Sequence, residues 1–426
     1  MRDSTAVTVR RAATAHEIEA AGELTAQAYQ ADRLIDPDDA YLDELTDARR
    51  RAREATLLVA VLPGEHEQDE DVVVGTITMA PYGTSYAETA EPGELELRML
   101  AVAPEMRGRG IAEALMRATV REAALLGFRR LVLSTMDSMA AAQRLYLRLG
   151  WTRVPERDWG HVEIHLRVLT WHAPPGPSPH VERATWPPVR TEVVDGFILG
   201  FSDGLTRRAN SALLDAPLGQ RALGSSLSAV EAAYRLAGLS PCVRVDDDVL
   251  GELLRARGYR LVTPTLVLVR DLVDGTEVAE PSRPAGVHLE FRPGPDEAWL
   301  DVWLGEDPAR ASRRGAARAI MSGAPASHLA AVGEDGRVLG VVRVAAATGD
   351  DGVTWAGVSG LTVRTEERGR GVGRLLAAAA IDEARRLGAR SAFVQVLPHN
   401  TASLDIFERD GFVVASAYRY AELTEG

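Results

Sequence analysis

LAVAPEMRGRGIAEAL, residues 100–115, and LTVRTEERGRGVGRLL, residues 361–376, align without a gap. In each, an apolar strand-like run passes through Arg-Gly-Arg-Gly into an amphipathic helix. Gly108 and Gly110 in the first stretch, and Gly369, Gly371 and Gly373 in the second, are therefore expected at a strand-to-helix turn. Glycine lets backbone N–H groups approach a ligand without a Cβ in the way, and the positive end of the helix dipole favours an anion such as a pyrophosphate. Arg107, Arg109, Arg368 and Arg370 add charge-assisted contacts to phosphate. A P-loop fits less well, because no Gly-Lys-Ser/Thr follows, and Glu113 stands at the third glycine of a dinucleotide fingerprint.

Working outward, each stretch sits in the same order of elements. Before the first lie strands TLLVAVL and DVVVGTITMA, and after it a helix over 110–126, strand RRLVLSTM, a helix over 140–149 and strand HVEIHLRVL. The second is preceded by HLAAVG and RVLGVVRVAA, then followed by a helix over 371–387, SAFVQVL, a helix over 401–410 and FVVASAYRYAEL. Such repetition reads as two copies of one α/β architecture with mixed sheets. The Pro/Gly-rich WHAPPGPSPH and AEPSRPAG divide the chain into a first block (1–170), a linker (171–184), a middle block (185–278) without a glycine turn of this kind, and a last block (286–426).

Length and composition bound the answer. At 426 residues, 46% hydrophobic and 26% charged, the chain is large enough for two or three packed domains. A net charge of −13 disfavours a nucleic-acid partner. The single cysteine, Cys242, can form no internal disulfide, no apolar run approaches the roughly 20 residues needed to span a bilayer, and the N-terminus lacks a basic segment leading into an apolar one. A cytoplasmic protein without a membrane partner is expected; oligomeric state is open.

With these motifs in place, both outer blocks resemble the GCN5-related N-acetyltransferase (GNAT) superfamily. The resemblance implies tandem domains, each a central mixed sheet flanked by helices, using acetyl-CoA as cosubstrate and an amine-bearing acceptor. It assigns Arg107, Gly108, Arg109, Gly110, Ile111 and Ala112, and Arg368, Gly369, Arg370, Gly371, Val372 and Gly373, to the coenzyme A pyrophosphate. Val102 and Val363 fall to the pantetheine arm, and Asn400 contacts the cofactor. The middle block, through Trp186, DGFILGF and TRRANS, resembles the N-terminal half of an actinobacterial tandem acetyltransferase group and is expected to be a degenerate unit of the same kind.

N-acyl transfer needs a neutral amine and a proton for the departing thiolate. The resemblance gives these roles to Glu96 as base, directly or through water, with Glu94 its nearest rival, and to Tyr146 as acid or thiolate-orienting group. Strand alternation puts Glu94, Glu96 and Arg98 on one face, where Glu96 can equally be a solvated strand residue, and a core tyrosine is the alternative for Tyr146. In the second copy Phe407 replaces the tyrosine and no carboxylate precedes the cradle, although Ser359, Tyr418 or Tyr420 could substitute; in the first, Met139 lies near the position of Asn400. His161, Glu163 and His165 alternate on what reads as one strand, an ordinary polar sheet face rather than a metal site. The leading expectation is an N-acyltransferase acting by direct transfer in a ternary complex; the rival is a noncatalytic acyl-CoA-responsive module.

Overall fold

The computed structural model describes residues 7–64, 66, 70–161, 164–215, 218–273 and 283–423. Glu163 and residues 279–282 of the second Pro-rich stretch lie outside them. The chain divides into two compact units, residues 1–173 and 174–426.

In the first unit the strands are β1 (Thr8–Arg11), β2 (Thr56–Leu62), β3 (Val72–Pro81), β4 (Glu94–Val102), β5 (Arg130–Met136), β6 (Thr152–Arg153), β7 (Trp159–His161) and β8 (Ile164–His172). The helices are α1 (Ala15–Ala31), α2 (Tyr41–Thr46), α3 (Ala48–Glu54), α4 (Ile111–Leu125) and α5 (Ala140–Arg148). The sheet runs β1-β2-β3-β4-β5-β8-β6, with β7 paired to β8; β4 and β5 are parallel, their neighbours antiparallel. The helix opening the chain starts where Thr14 and Glu17 form a capping box. Helices α2 and α3 do not merge into one, because Asp47 between them leaves helical geometry and caps α3 through its side chain.

The final strand expected for the first block is a hairpin: Gly160 pairs with His165 and His161 with Ile164, so the two histidines sit on different strands. Gly160 adopts φ 152°, and a Cβ there would lie 1.9 Å from the Ile164 carbonyl oxygen, so the close approach requires glycine.

The second unit continues with α6 (Pro179–Thr185), β9 (Arg190–Val194), β10 (Phe197–Phe201), β11 (Ala212–Leu214), α7 (Gln220–Leu236), β12 (Cys242–Val245), α8 (Asp248–Ala256) and β13 (Arg260–Asp271). Then follow β14 (Val287–Arg292), α9 (Glu297–Leu304), α10 (Pro308–Ala311), α11 (Arg314–Ser322), β15 (Ala326–Gly333), β16 (Val338–Thr348), β17 (Thr354–Val363), α12 (Val372–Arg386), β18 (Ser391–Val396), α13 (Thr401–Arg409) and β19 (Val413–Glu422). One sheet holds both blocks, in the order β14-β15-β16-β17-β18-β13-β19-β12-β11-β10-β9. The middle block thus supplies β13, which lies between β18 and β19, while β19 of the last block pairs with β12. The core beneath α7 and α8 includes Ala421 of β19, so each block completes the other.

Helices α4 and α12 pack on their sheets through matching contacts. A Cβ at Gly75 on β3 would lie 3.0 Å from Ile111 and Leu115, and one at Gly340 on β16 would lie 2.9 Å from Leu376 and 3.1 Å from Val372. Both glycines let the cradle helix sit close to the sheet.

His328, on β15, is buried between Met321 and the Trp299 ring. Its Nε2–H donates to the Met321 carbonyl oxygen at 3.2 Å, which leaves buried Nδ1 without a partner. Burial, reinforced by Arg343, lowers its pKa to about 4 from 6.5, so the unfolded chain binds a proton that the folded one refuses between those values. The neutral ring therefore contributes fully above pH 6.5, and stability is lost as pH falls towards 4. By linkage the second unit is expected to lose about 2.5 kcal/mol between pH 7.5 and 4.5 relative to His328→Phe, read from urea unfolding of both proteins at the two pH values.

Candidate functional site

In the first unit β4 is interrupted. The pairings Thr78 with Arg98 and Thr76 with Ala101 leave two residues between on β4 but one on β3, a bulge at Met99 and Leu100, and Met99 has φ 54°. Parallel pairing to β5 ends at Leu97 with Leu133, so the two strands separate beyond the bulge. Gly108 and Gly110 then take φ of 76° and 79°, and left-handed Gly110 caps α4 without any side-chain hydrogen bond. The first-turn amides of α4 have no acceptor one turn back and point out of the helix end.

A cleft of about 760 Å³ runs from this cradle along the separated strands, lined by Leu100, Val102, Arg107, Gly108, Gly110, Ile111 and Ala112, with Met139 to Ala142 opposite. Arg107 is engaged with Asp32, at the end of α1, through bonds of 2.6 and 3.1 Å, and its Nε donates to Val102 O. Contact with a phosphate requires Arg107 to be shared with Asp32 or to exchange it. Arg109 does not line the cleft.

A second cavity of about 470 Å³ shares Tyr29, Leu34, Leu100 and Met139 with the first and contains Glu96 and Tyr146. Glu96 is 1% exposed rather than a solvated strand residue. Its Oε2 accepts the backbone N–H groups of Glu88, Thr89 and Ala90 at 2.8, 2.7 and 3.0 Å, and Oε1 accepts from Thr89 Oγ1 at 3.3 Å. Thr89 Oγ1 lies 3.0 Å from Ser134 Oγ, which also accepts from Trp159 Nε1. Glu94 is bound by Arg157 at 2.8 and 3.0 Å; burial acts to raise its pKa, but Arg157 and the Glu91 amide outweigh it and hold it low. The two carboxylates are thus distinguished: Glu94 is consumed by an ion pair outside the cavity lining, and Glu96 reaches the cavity.

Tyr146 is buried on α5 beside Trp151, with ring centres 6.2 Å apart, and its hydroxyl makes no hydrogen bond among the described residues. Burial alone raises its pKa well above 10, so the phenol stays protonated. Cavity charge is acidic, with Asp39, Glu88 and Glu96 against Arg98.

The second unit repeats the backbone and changes the chemistry. Its β17 carries the same bulge, between Val341 paired with Thr362 and Arg343 paired with Ser359, with Gly360 at φ 66° where Met99 stands in the first unit. Gly369 and Gly371 are again left-handed, whereas Gly373 lies inside α12 and packs towards Ile406 rather than forming the turn. Arg368 Nε donates to Val363 O, as Arg107 does to Val102, and Arg370 pairs with Glu367. Gly357 occupies the position of Glu96, and a Cβ there would lie 2.7 Å from Thr185 Oγ1, so no carboxylate fits. Phe407 is buried where Tyr146 lies, and Asn400 caps α13 through Ser403 N at 3.2 Å while lining a cleft of about 460 Å³. Val363, Val372 and the second glycine turn do not line that cleft.

Sequence reasoning missed Asp32, Thr89, Ser134 and Trp159, whose positions depend on pairings distant in the chain. The two bulges left one trace, a glycine at 360 aligned with Met99. Among the described residues no cluster of potential metal ligands occurs, and no helix is long and apolar enough to cross a membrane.

Residues 180–421 match the family described as "Probable histone acetyltransferase Rv0428c C-terminal", and residues 19–151 match the "Acetyltransferase (GNAT) family". The Mycobacterium tuberculosis protein described as "Probable histone acetyltransferase Rv0428c" is 30% identical over 265 residues, 60% of this chain and 78% of its own. N-acetyltransferase 8B of Homo sapiens is 32% identical over 111 residues, 25% of this chain and 48% of its own. Among solved structures, a tandem GNAT protein from the clavulanic acid biosynthesis pathway aligns over 99% of this chain and 100% of its own, at 16% identity and a TM-score of 0.36.

Proposed function

The chain belongs to the Rv0428c C-terminal family within the GNAT acetyltransferases, and from that premise we propose that its first unit transfers an acetyl group from acetyl-CoA to a primary amine by direct attack in a ternary complex. The observation that carries this reading is the pair of adjoining cavities, one ending in the glycine cradle and the other holding Glu96 and Tyr146. Acetyl-CoA would supply the acyl group, its carbon–sulfur bond breaking as the carbon–nitrogen bond forms, and coenzyme A would leave as the free thiol. The cradle amides and the α4 dipole take its pyrophosphate, and the unpaired backbone at the Met99–Leu100 bulge offers N–H groups to a carbonyl oxygen as charge develops on it.

An excess of carboxylates suits an acceptor that arrives as an ammonium ion. Glu96 takes its proton through Oε1, which accepts only from the Thr89 hydroxyl among the described residues, because Oε2 is filled by three amides. A water or the Thr89–Ser134 hydroxyl pair carries that proton, since Ser134 lines the cavity beside Glu96. Tyr146, still protonated, donates a hydrogen bond to the departing sulfur. The matching acceptor, whether amino-sugar, amino acid, polyamine or protein amine, is set by this cavity.

Calorimetric titration of the full chain with acetyl-CoA tests the cradle. Gly110→Val forces a β-branched residue to φ 79°, where no clash intervenes but left-handed backbone costs about 1–2 kcal/mol, and its side chain crowds the pyrophosphate. The expected result is at least a tenfold loss of affinity at one site; unchanged binding would remove the first cradle from the reading. A second reading, a noncatalytic acyl-CoA-responsive role, attaches to the second unit, where Gly357 and Phe407 remove both the base and the acid.

A further inference from the structure

The 460 Å³ cleft of the second unit is unlike the cavity of the first in its charge. Among the described residues, its lining holds Arg207, Arg208 and Arg310 and no aspartate or glutamate, in a chain whose acidic residues outnumber its basic ones, 61 to 48. Arg207 is compensated by Glu422, which it grips at 2.6 and 3.2 Å. Arg208 and Arg310 have no carboxylate partner among the described residues. Each lies over an indole instead, Arg208 5.1 Å from the Trp186 ring and Arg310 5.3 Å from that of Trp303, and the two indoles meet edge-on at 6.0 Å. Arg310 also donates Nη2 to the Trp303 carbonyl oxygen at 3.3 Å, and stacking holds both guanidinium planes while leaving their remaining N–H groups available to bond.

A third cation stands behind them. Arg343 is fully buried, spends Nε and Nη1 on the carbonyls of Met321 and Thr185, and leaves Nη2 without a partner. Its guanidinium lies 5.8 Å from the centre of the Trp186 ring. Burial, then the charge of Arg208, lowers its pKa to about 10, so it remains a cation at neutral pH. Three guanidiniums gathered around two touching indoles, none of them in contact with a carboxylate among the described residues, are costly unless an anion joins them.

Two neutral groups in the lining also lack partners. Ser359 Oγ is buried and unbonded. Gln395 donates Nε2 to Glu182, leaving buried Oε1 as an acceptor with nothing to accept from.

We propose that this cleft binds a small organic oxyanion, a carboxylate or phosphate monoester, that also carries an O–H or N–H donor: Arg208 and Arg310 take the anion, Ser359 donates to it, and Gln395 accepts from the donor. The inference is independent of transfer in the first unit, since every residue it uses lies in the second.

The test is calorimetric titration of the full chain, saturated with coenzyme A to occupy the cradles, with 4-hydroxybenzoate, 4-hydroxyphenyl phosphate and neutral 4-hydroxybenzamide. At least one of the two anions is expected to bind, and the amide at least tenfold more weakly; the tighter anion tells carboxylate from phosphate. Arg208→Gln with Arg310→Gln is expected to lower anion affinity at least tenfold, and Arg208→Gln alone, at a half-exposed side chain, serves if the double variant does not fold. Absence of binding by both anions at millimolar concentration, equal binding of the amide, or unchanged affinity in the variants would overturn the proposal.

Discussion

Tyr146→Phe is expected to lower kcat about a hundredfold, the lower end of what a positioned acid or donor contributes, with acetyl-CoA affinity unchanged. The substitution removes one oxygen that has no hydrogen-bond partner among the described residues and leaves the ring packed beside Trp151, so folding stability should stay within about 1 kcal/mol of the parent. Burial raises the phenol above its ordinary 10, while a thiol titrates near roughly 8.5; complete transfer from phenol to thiolate is therefore uphill. Tyr146 acts best as a donor that stabilises charge on sulfur while the proton finally retained there comes from the attacking nitrogen. Its loss should then depress kcat with little change in KM and leave the shape of the pH profile unaltered below pH 9. The measurement is steady-state turnover with a primary amine that the protein acetylates, alongside calorimetry with acetyl-CoA. Full activity in the variant would make Tyr146 a core residue only.

The sequence made the cradles readable because their requirements are local: positive φ at Gly108, Gly110, Gly369 and Gly371 needs glycine within one turn of an amphipathic helix. Tyr146 and Phe407 were readable for the same reason, each at a fixed place on a short helix. Glu96 was readable as a position but not as an environment, since the loop amides of residues 88–90 that bind it are brought back by folding. The bulge was hidden in the first copy because Met99 is not a residue type that advertises φ 54°. Gly373 misled in the other direction, marking close packing of α12 against α13 rather than a turn. Pairing of β13 between β18 and β19 was beyond local reading: β13 looks like any apolar strand, and nothing in its composition names partners more than a hundred residues away.

That long-range pairing converges on one buried charge. Arg244→Met is expected to destabilise the second unit by about 3–5 kcal/mol, because it strands the carboxylate of Glu182. Glu182, on α6, is 2% exposed and receives Arg244 Nη1 from β12 and Gln395 Nε2 from β18, each at 2.5 Å; Arg244 also binds Asp246 and lies 3.9 Å over the Tyr418 ring of β19. Middle and last blocks are thereby fastened to the same helix. Burial raises the pKa of Glu182, and Arg244 opposes the rise, so removing the arginine moves it further up. A carboxyl whose folded pKa exceeds its unfolded value stabilises the fold at low pH and loses that contribution as pH rises through the folded pKa. The deficit of Arg244→Met relative to the parent should accordingly be largest near pH 7.5 and shrink towards pH 4.5, as Glu182 of the folded variant takes up its proton. Glu182→Gln with Arg244→Met should recover most of the loss at neutral pH, since no charge is left buried. Urea unfolding of the full chain, followed for the second unit at both pH values, measures all three; a deficit independent of pH would mean that Arg244 contributes by packing on Tyr418 and not by answering the charge of Glu182.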